Sequence, residues 1–148
     1  MPYMPDGWTL PQVDDWNRAF FTTGKLMVQH CTDCDRVQHP PEHVCIWCQG
    51  MNLDYLEAKG TGEVYSYVLP HHPPNEKLLT RVPYNIVLVA LDDYPHVRVL
   101  GNLIDAEIDE VKIGMPVRVT FEEITDPDRK STRLNSSHSQ QSRMPSSA

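Results

Sequence analysis

The chain has 148 residues, a formal net charge of −7 and a mean hydropathy of −0.45, values that suit one or two small globular domains. Its longest apolar run, Ile86–Leu91, has six residues, far fewer than the roughly 20 that a membrane-spanning helix needs. The acidity also argues against general binding to phosphate backbones, because such binding needs clustered Lys and Arg.

The N-terminal segment, residues 1–24, is predicted to contain one short helix over residues 14–21. Its first turn is acidic, which suits the positive end of the helix dipole, and its apolar side chains recur at helical spacing. The helix is too short to bury Trp16, Phe20 and Phe21 alone, so it must pack on the segment that follows, on the C-terminal domain or on another chain. We therefore predict that these three aromatic residues bind a partner.

All four cysteines of the chain lie in two Cys-x-x-Cys pairs that are separated by ten residues. Two pairs at this spacing can place four thiolates at the corners of a tetrahedron, which is the geometry of a structural zinc site. Since no cysteine is left over, a cysteine nucleophile is excluded. The sequence predicts one structural Zn²⁺ whose ligands are Cys31, Cys34, Cys45 and Cys48.

Three other interpretations of the cysteines stay open at this level. Two disulfides need an oxidising compartment, and the chain shows no signal peptide, so a cytoplasmic location is expected. A dithiol redox centre normally has one Cys-x-x-Cys in a strand–helix unit rather than two pairs in a Pro-rich stretch. Iron fits the same four sulfurs, so the spacing alone does not distinguish zinc from iron.

Residues 25–52 are thus predicted to form a zinc ribbon that has little apolar core and depends on its metal for folding. Asp35 follows the first pair at a position where such turns often need a left-handed backbone, which Asp tolerates less freely than Gly. Three flanking histidines are expected to be solvated or to support the ligands, because four thiolates are already present. These histidines are His30, His39 and His43.

From residue 53 the pattern changes to short strands separated by turn residues. Gly60 and Gly62 suit a bulge or a sharp corner, and residues 92–95 are predicted to form a hairpin turn. Five antiparallel strands in about seventy residues fit a Greek-key barrel of the OB type over residues 53–126, with an SH3-like barrel as the runner-up. The predicted strands are 53–59, 63–69, 84–91, 97–103 and 117–122.

The last eighteen residues, 131–148, have no hydrophobic period and no acidic residue, and they contain seven serines. They look like translated vector or adaptor sequence, and residues 127–148 are predicted to be a disordered tail outside the fold. A native disordered tail is the alternative. The two arginines among the last eighteen residues contribute +2, so the rest of the chain carries −9.

Several short motifs occur in an order that resembles the acyl-CoA-associated zinc-ribbon/OB-fold proteins, a family long known only as a domain of unknown function. The similarity covers about residues 16–125. The motifs are Gly24-Lys25-Leu26-x-x-Gln29-x-Cys31-x-x-Cys34, Pro40-Pro41, Cys45-x-x-Cys48, Gly60-x-Gly62-x-Val64-x-Ser66, Pro83-Tyr84 and Ile113-Gly114-x-x-Val117.

This resemblance implies a mainly β chain with a short N-terminal helix, a rubredoxin-like zinc ribbon and a five-stranded OB-type barrel. Members of the family typically accompany thiolase-like enzymes, including lipid-transfer-type thiolases, or hot-dog hydratases, as non-catalytic or supporting subunits that act on acyl-CoA. The chain departs from the family in two places. Asp35 replaces the glycine that commonly follows the first cysteine pair. The tail replaces a Leu- and Pro-rich ending, so any partner contact made by that ending is expected to be lost.

The sequence holds no independent catalytic constellation, since it lacks a Gly-x-Ser-x-Gly elbow, a phosphate-cradling glycine loop and a His-Glu-x-x-His motif. The adjacent His71 and His72 are expected to lie in a solvated loop over residues 70–83. This loop joins two barrel strands and carries two of the few basic residues of an acidic domain, which either bind the phosphates of acyl-CoA or only keep the loop soluble. The predicted ligand-binding residues are Lys77, Arg81 and Tyr84.

Two functional hypotheses remain. The first is a non-catalytic accessory subunit that binds acyl-CoA and supports a thiolase-like or hot-dog hydratase enzyme in acyl-CoA and lipid metabolism. The second is a nucleic-acid-binding protein, because zinc ribbons and OB domains often serve that role. The charge of −9 favours the first, since a nucleic-acid binder should show a basic face.

Overall fold

The computed structural model describes residues 10–74, 76, 82–125 and 133–141, and for 124, 125 and 133–141 it describes the backbone only. The N-terminal helix α1 spans Arg18–Thr22, shorter than the predicted 14–21 and later in the chain. A turn precedes it, in which the Asn17 side chain accepts a hydrogen bond from the Asp14 N–H (2.7 Å). Because this turn takes up the acidic residues, the first turn of α1 contains none.

Helix α1 packs on the cysteine-containing segment of its own chain. The Trp16 ring lies 4.4 Å from the His43 ring, and the Phe20 ring lies 5.1 Å from the His39 ring, measured between centroids. The Tyr55 hydroxyl donates a 2.5 Å hydrogen bond to the Trp16 carbonyl. Trp16, Phe20 and Phe21 are therefore half-buried, and the segment that follows is the one of the three predicted neighbours that contacts Trp16 and Phe20 here.

The first sheet has three antiparallel strands in the order β2-β1-β3, and it carries the cysteine pairs. Its strands are β1 (Met27–Cys31), β2 (Arg36–Gln38) and β3 (Leu53–Glu57). The prediction placed residues 53–59 in the barrel and was wrong about the sheet that they join. The register of β3 against β1 is held at its ends by side-chain pairs, Lys25 Nζ with Glu57 Oε2 (2.9 Å) and His30 Nδ1 with Asp54 Oδ1 (2.7 Å).

The second sheet has five antiparallel strands in the order β6-β5-β4-β7-β8. The end strands β6 and β8 also approach each other, so the sheet curls in the manner of an OB barrel. The predicted class, a mainly β chain with a five-stranded OB-type barrel, is confirmed. The strands are β4 (Thr61–Val68), β5 (Ile86–Leu91), β6 (Arg98–Gly101), β7 (Pro116–Thr125) and β8 (Arg133–Gln141), and a single 3₁₀ turn, Ile108–Glu110, separates β6 from β7.

Strand β8 lies within the tail that the sequence excludes from the fold. It pairs with β7 along its whole length, from Val117 opposite Gln141 to Thr125 opposite Arg133. A ten-residue strand presents a long row of unpaired N–H and C=O groups, and a segment without Pro or Gly can add to such an edge. The fifth barrel strand thus comes from the tail and not from residues 53–59.

Two glycines shape the entry into the barrel, as their spacing predicts. Gly60 has φ of +76°, the left-handed region in which glycine is favoured, and it turns the chain between the two sheets. A Cβ atom on Gly62 would collide with the Ala90 carbonyl on β5, so the close approach of β4 and β5 requires glycine there. The bulge itself lies further along β4, at Tyr65 between Val64 and Ser66.

The ribbon and the barrel share one hydrophobic core. The cluster that joins them is closed at its edge by Phe20 of α1, and the His96 ring nitrogen Nε2 bonds the Val37 carbonyl across the junction (3.2 Å). A second cluster lies within the barrel. Among the described residues, no helix is long and apolar enough to cross a membrane. The joining cluster consists of Leu26, Val28, Val37, Ala58, Leu91, Val97 and Val99, and the barrel cluster consists of Val64, Val87, Val89, Leu103, Val111 and Val117.

The burial of His39 beneath α1 predicts a pH dependence of folding. Burial lowers the pKa of His39 from 6.5 to about 4, and its Nδ1 atom is buried without a hydrogen-bond partner. The folded state therefore favours the neutral ring. The stability that this ring contributes is complete above pH 6.5 and falls as the pH drops toward 4.

The wild type should lose more unfolding free energy between pH 6.5 and 5 than His39→Phe does, because Phe does not titrate. The expected difference between the two losses is about 2 kcal/mol. The measurement is denaturant unfolding across this pH range, with zinc content checked at each point. The control is His71→Phe, which removes an exposed imidazole and should leave the slope as in the wild type. Equal slopes for wild type and His39→Phe would contradict the prediction.

Candidate metal centre

Each cysteine pair forms a knuckle with the same backbone geometry. The Asp35 N–H donates to the Cys31 carbonyl, and the Gln49 N–H donates to the Cys45 carbonyl, both at 2.9 Å. Asp35 (φ 56°) and Gln49 (φ 62°) both adopt the left-handed backbone that lets the chain turn around the sulfurs. The prediction for Asp35 is confirmed. In the second knuckle the strained residue is Gln49 and not the glycine that follows it.

The four sulfurs converge on one point. All four Sγ atoms lie within 4.8 Å of one another, and the Cys31–Cys48 and Cys34–Cys45 sulfurs are each 3.6 Å apart. A disulfide would need about 2.05 Å, whereas Zn–S bonds of about 2.3 Å in a tetrahedron put neighbouring sulfurs about 3.8 Å apart. The donor set and the spacing fit one tetrahedral metal ion and exclude two disulfides in this arrangement.

Backbone N–H groups point at the sulfurs and favour their ionised form. The N–H groups of Trp47 and Gly50 donate to the sulfurs of Cys45 and Cys48, both at 3.4 Å. Desolvation raises the pKa of the Cys45 thiol, but hydrogen bonds from the N–H groups of Cys48 and Trp47 and from the Cys34 and Cys48 side chains together lower that pKa to about 6. Desolvation and the neighbouring thiols raise the pKa of Cys34 to about 12. Four thiolates this close therefore need a cation among them.

The flanking histidines do not join the sulfurs. Both ring nitrogens of His30 bond carboxylates, Nδ1 with Asp54 (2.7 Å) and Nε2 with Asp35 (2.9 Å), and these hydrogen bonds raise the pKa of His30. His39 is covered by Phe20, and His43 stacks on Trp16. The expectation that the histidines support the site is confirmed for His30, since it ties the first knuckle to β3.

Two buried glutamines hold the second knuckle against the first sheet. Gln29 lies on β1 and is 1% exposed; its amide donates to the Glu42 carbonyl (2.8 Å) and accepts from the Glu42 N–H (2.9 Å). Gln38 on β2 donates to Gln29 (2.6 Å) and to the Val44 carbonyl (3.1 Å), and it accepts from the Ile46 N–H (2.8 Å). This role is not among the predictions from the sequence; the available signal was a polar residue on the buried face of a strand.

Of the predicted ligand residues, the structure describes only Tyr84, which lies on the connection between β4 and β5 just after the loop over residues 70–83. Its ends are tied where the Tyr84 N–H donates to the Pro70 carbonyl (3.4 Å), and the Tyr84 side chain is half-buried. His71 and His72 are exposed and outside any strand, which confirms that they lie in a solvated loop. Lys77 and Arg81 lie outside the described residues.

Comparisons with known proteins agree with this architecture. The profile of the rubredoxin-like zinc ribbon domain of ChsH2 matches residues 19–54, and that of the ChsH2 C-terminal OB-fold domain matches residues 55–122. A solved structure described as Ltp2-ChsH2(DUF35) aldolase is similar with a TM-score of 0.69 and 32% sequence identity, and the match covers 89% of this chain and 98% of that chain.

Two curated relatives are similar over most of this chain. A probable enoyl-CoA hydratase alpha subunit of Thermomonospora curvata is 36% identical over 121 residues, which are 80% of this chain and 36% of that protein. A DUF35 domain-containing scaffold protein of Methanocaldococcus jannaschii is 28% identical over 100 residues, which are 67% of this chain and 69% of that protein. The chain thus spans about a third of the length of the hydratase subunit.

The four-thiolate ribbon and the curled five-stranded sheet define a zinc-ribbon/OB-fold protein that binds one structural zinc ion. Within this class, the chain belongs to the ChsH2-type (DUF35) family, which confirms the resemblance seen in its motifs.

Protein purified without added metal should contain about one zinc per chain by elemental analysis, because closed four-thiolate sites bind zinc tightly. Cys45→Ser should lose the zinc, unfold the ribbon and lower solubility, since the remaining thiolates are then left uncompensated. The control is His43→Ala, which removes a flanking imidazole that is outside the cluster of sulfurs and should keep the zinc. A mass spectrum with two disulfides and no metal would refute the assignment.

Proposed function

We propose that the chain is a non-catalytic accessory subunit that supports a thiolase-like (lipid-transfer-type) or hot-dog hydratase enzyme in acyl-CoA and lipid metabolism. The observation that carries this proposal is the closed metal site. All four positions around the ion are protein thiolates, so no position is open for substrate or for an activated water. The zinc is then structural and not catalytic, and the sequence carries no motif for catalysis elsewhere.

The relatives support the same role. One is described as an enoyl-CoA hydratase subunit, one as a scaffold protein, and the similar structure as an aldolase that contains a ChsH2(DUF35) component. Four cysteines kept as zinc-binding thiolates and not as disulfides suit a reducing compartment, and we place the protein in the cytoplasm.

Binding to nucleic acid, the alternative function, is opposed by the charge of the ribbon. Residues 26–58 contain five carboxylates and a single basic residue, Arg36, if histidines are set aside. A zinc ion held by four thiolates adds a further −2. Phosphate backbones would be repelled by this surface, because their binding rests on neutralisation by Lys and Arg.

We further propose that the loop over residues 70–83 contributes to acyl-CoA binding in the complex. OB domains often use the loops between barrel strands for recognition, and this loop is closed at its base by the bond between Tyr84 and Pro70. In this proposal Lys77 and Arg81 bind the CoA phosphates, and Tyr84, which is half-buried at the end of the loop, offers apolar surface. Both basic residues stand out in a chain of net charge −7.

The native-length protein should co-purify with the thiolase-like or hot-dog enzyme encoded beside its gene, called the partner enzyme below. The isolated chain should not cleave, hydrate or condense acyl-CoA above background, because it lacks the residues for these reactions. Affinity purification of the co-expressed pair and turnover assays of the single chain make the test. Turnover by the single chain that disappears in His71→Ala or His72→Ala would overturn the accessory role.

Lys77→Ala combined with Arg81→Ala should weaken CoA binding to the complex about tenfold, as expected for loss of charge-assisted phosphate contacts. Calorimetry with CoA measures the effect. The matched control is Lys112→Ala, which removes an exposed basic residue from the connection before β7 and should leave the affinity unchanged. Equal affinities for all three proteins would show that the loop lysine and arginine only solubilise the loop.

A further inference from the structure

The second knuckle exposes a group of large apolar side chains, which we call the knuckle patch. Their exposed fractions are 40% for Val44, 59% for Ile46, 51% for Trp47 and 75% for Met51. The Cys45 N–H donates to the Gly50 carbonyl (2.9 Å), which brings the chain at Val44 beside the chain at Met51. Apolar residues grouped in this way on a protein surface mark interaction sites.

The knuckle patch stands on a rigid base. Its backbone is fixed by the hydrogen bonds to the sulfurs of Cys45 and Cys48 and by the Gln38 amide, which accepts from the Ile46 N–H (2.8 Å). The Arg36 guanidinium lies 5.0 Å from the centre of the Trp47 ring and orients the indole. A surface that is ordered before binding loses little conformational entropy on binding, and Trp, Arg and Met are typical of the central residues of interfaces.

The charge around the knuckle patch selects its occupant. The two knuckles carry more negative than positive charge: Asp33, Asp35 and Glu42 are exposed on them, against the single Arg36 over the Trp47 ring, and the four-thiolate zinc site adds −2. Asp33 lies beside the patch, since its carboxylate occupies the place that a Cβ atom would take on Gly50, the residue before Met51. A second copy of this chain, bound through the same face, would bring like charges together, which costs several kcal/mol of binding free energy. A nucleic acid would be repelled in the same way.

We propose that the knuckle patch is the main contact surface for the partner enzyme, which carries an apolar socket for Trp47 bordered by Lys or Arg. This inference rests on the proposed accessory function and goes beyond it by naming the surface. It also reassigns the predicted partner residues. Trp16, Phe20 and Phe21 of α1 are half-buried on the ribbon, so their contribution is secondary.

The first test is the affinity of the full-length chain for the purified partner enzyme, measured by surface plasmon resonance. Ile46→Ser combined with Trp47→Ser should weaken binding at least tenfold, the effect of removing central interface residues. Ile113→Ser is the matched control, because Ile113 is 69% exposed but lies on the barrel connection before β7. It should bind as the wild type. Zinc content and circular dichroism are measured for each variant.

The second test compares two oppositely charged substitutions of Met51, and it keeps the proposal testable if the Ile46/Trp47 double variant loses zinc. Met51 is 75% exposed and, unlike Ile46 and Trp47, does not lie between two zinc ligands. Met51→Lys should weaken binding more than Met51→Glu, because a positive charge opposes the basic border of the socket. A stronger effect of Met51→Glu would overturn the assigned charge of the partner surface.

The outcomes separate this inference from the proposed function. If the wild type binds the partner enzyme and the knuckle variants bind equally well, the inference fails while the accessory role stands. The same holds if only Trp16→Ala combined with Phe20→Ala weakens binding. If sedimentation shows a dimer of this chain that the knuckle variants dissociate, a second copy is the occupant and the inference fails. If the wild type binds no acyl-CoA enzyme, the proposed function fails as well.

Discussion

Four thiolates gathered around one metal ion are the constraint on which the ribbon depends. Their sulfurs lie within 4.8 Å of one another, and four negative thiolates this close repel one another unless a cation between them compensates their charge. Structural zinc contributes about 10–16 kcal/mol of apparent binding free energy in isolated fingers, comparable to the whole stability of a small domain. The ribbon can therefore keep apolar side chains on its surface and a left-handed non-glycine residue in each knuckle, and still fold.

A buried polar network, in addition to the metal, orients the second knuckle against the first sheet. Gln29 and Gln38 lie on neighbouring strands and bond to each other and to the backbone around Glu42, Val44 and Ile46. Buried amides specify orientation better than apolar side chains do, because an unmade hydrogen bond in the interior costs free energy. The metal supplies stability, while the glutamines fix the direction in which the second knuckle faces.

The sequence predicted the metal site because ligand chemistry and spacing are local. Local patterns also predicted the left-handed backbone at Asp35, the turn at Gly60 and the barrel class. They did not predict which sheet β3 joins, since an alternating strand shows which face is apolar but not which neighbour it pairs with. The pairing of β8 and the partial cover of Trp16 by His43 likewise depend on tertiary contacts that no local pattern encodes.

The shared cluster beneath the ribbon has a consequence for dividing the chain. Leu26, Val28 and Val37 come from the ribbon, and they pack with Leu91, Val97 and Val99 of the barrel. A cut at the boundary between the two matched domains, after residue 54, would expose an apolar surface on both fragments and would also split β3. The two modules that the family profiles separate thus share one apolar cluster, and loss of the metal at one end is expected to loosen side-chain packing at the other.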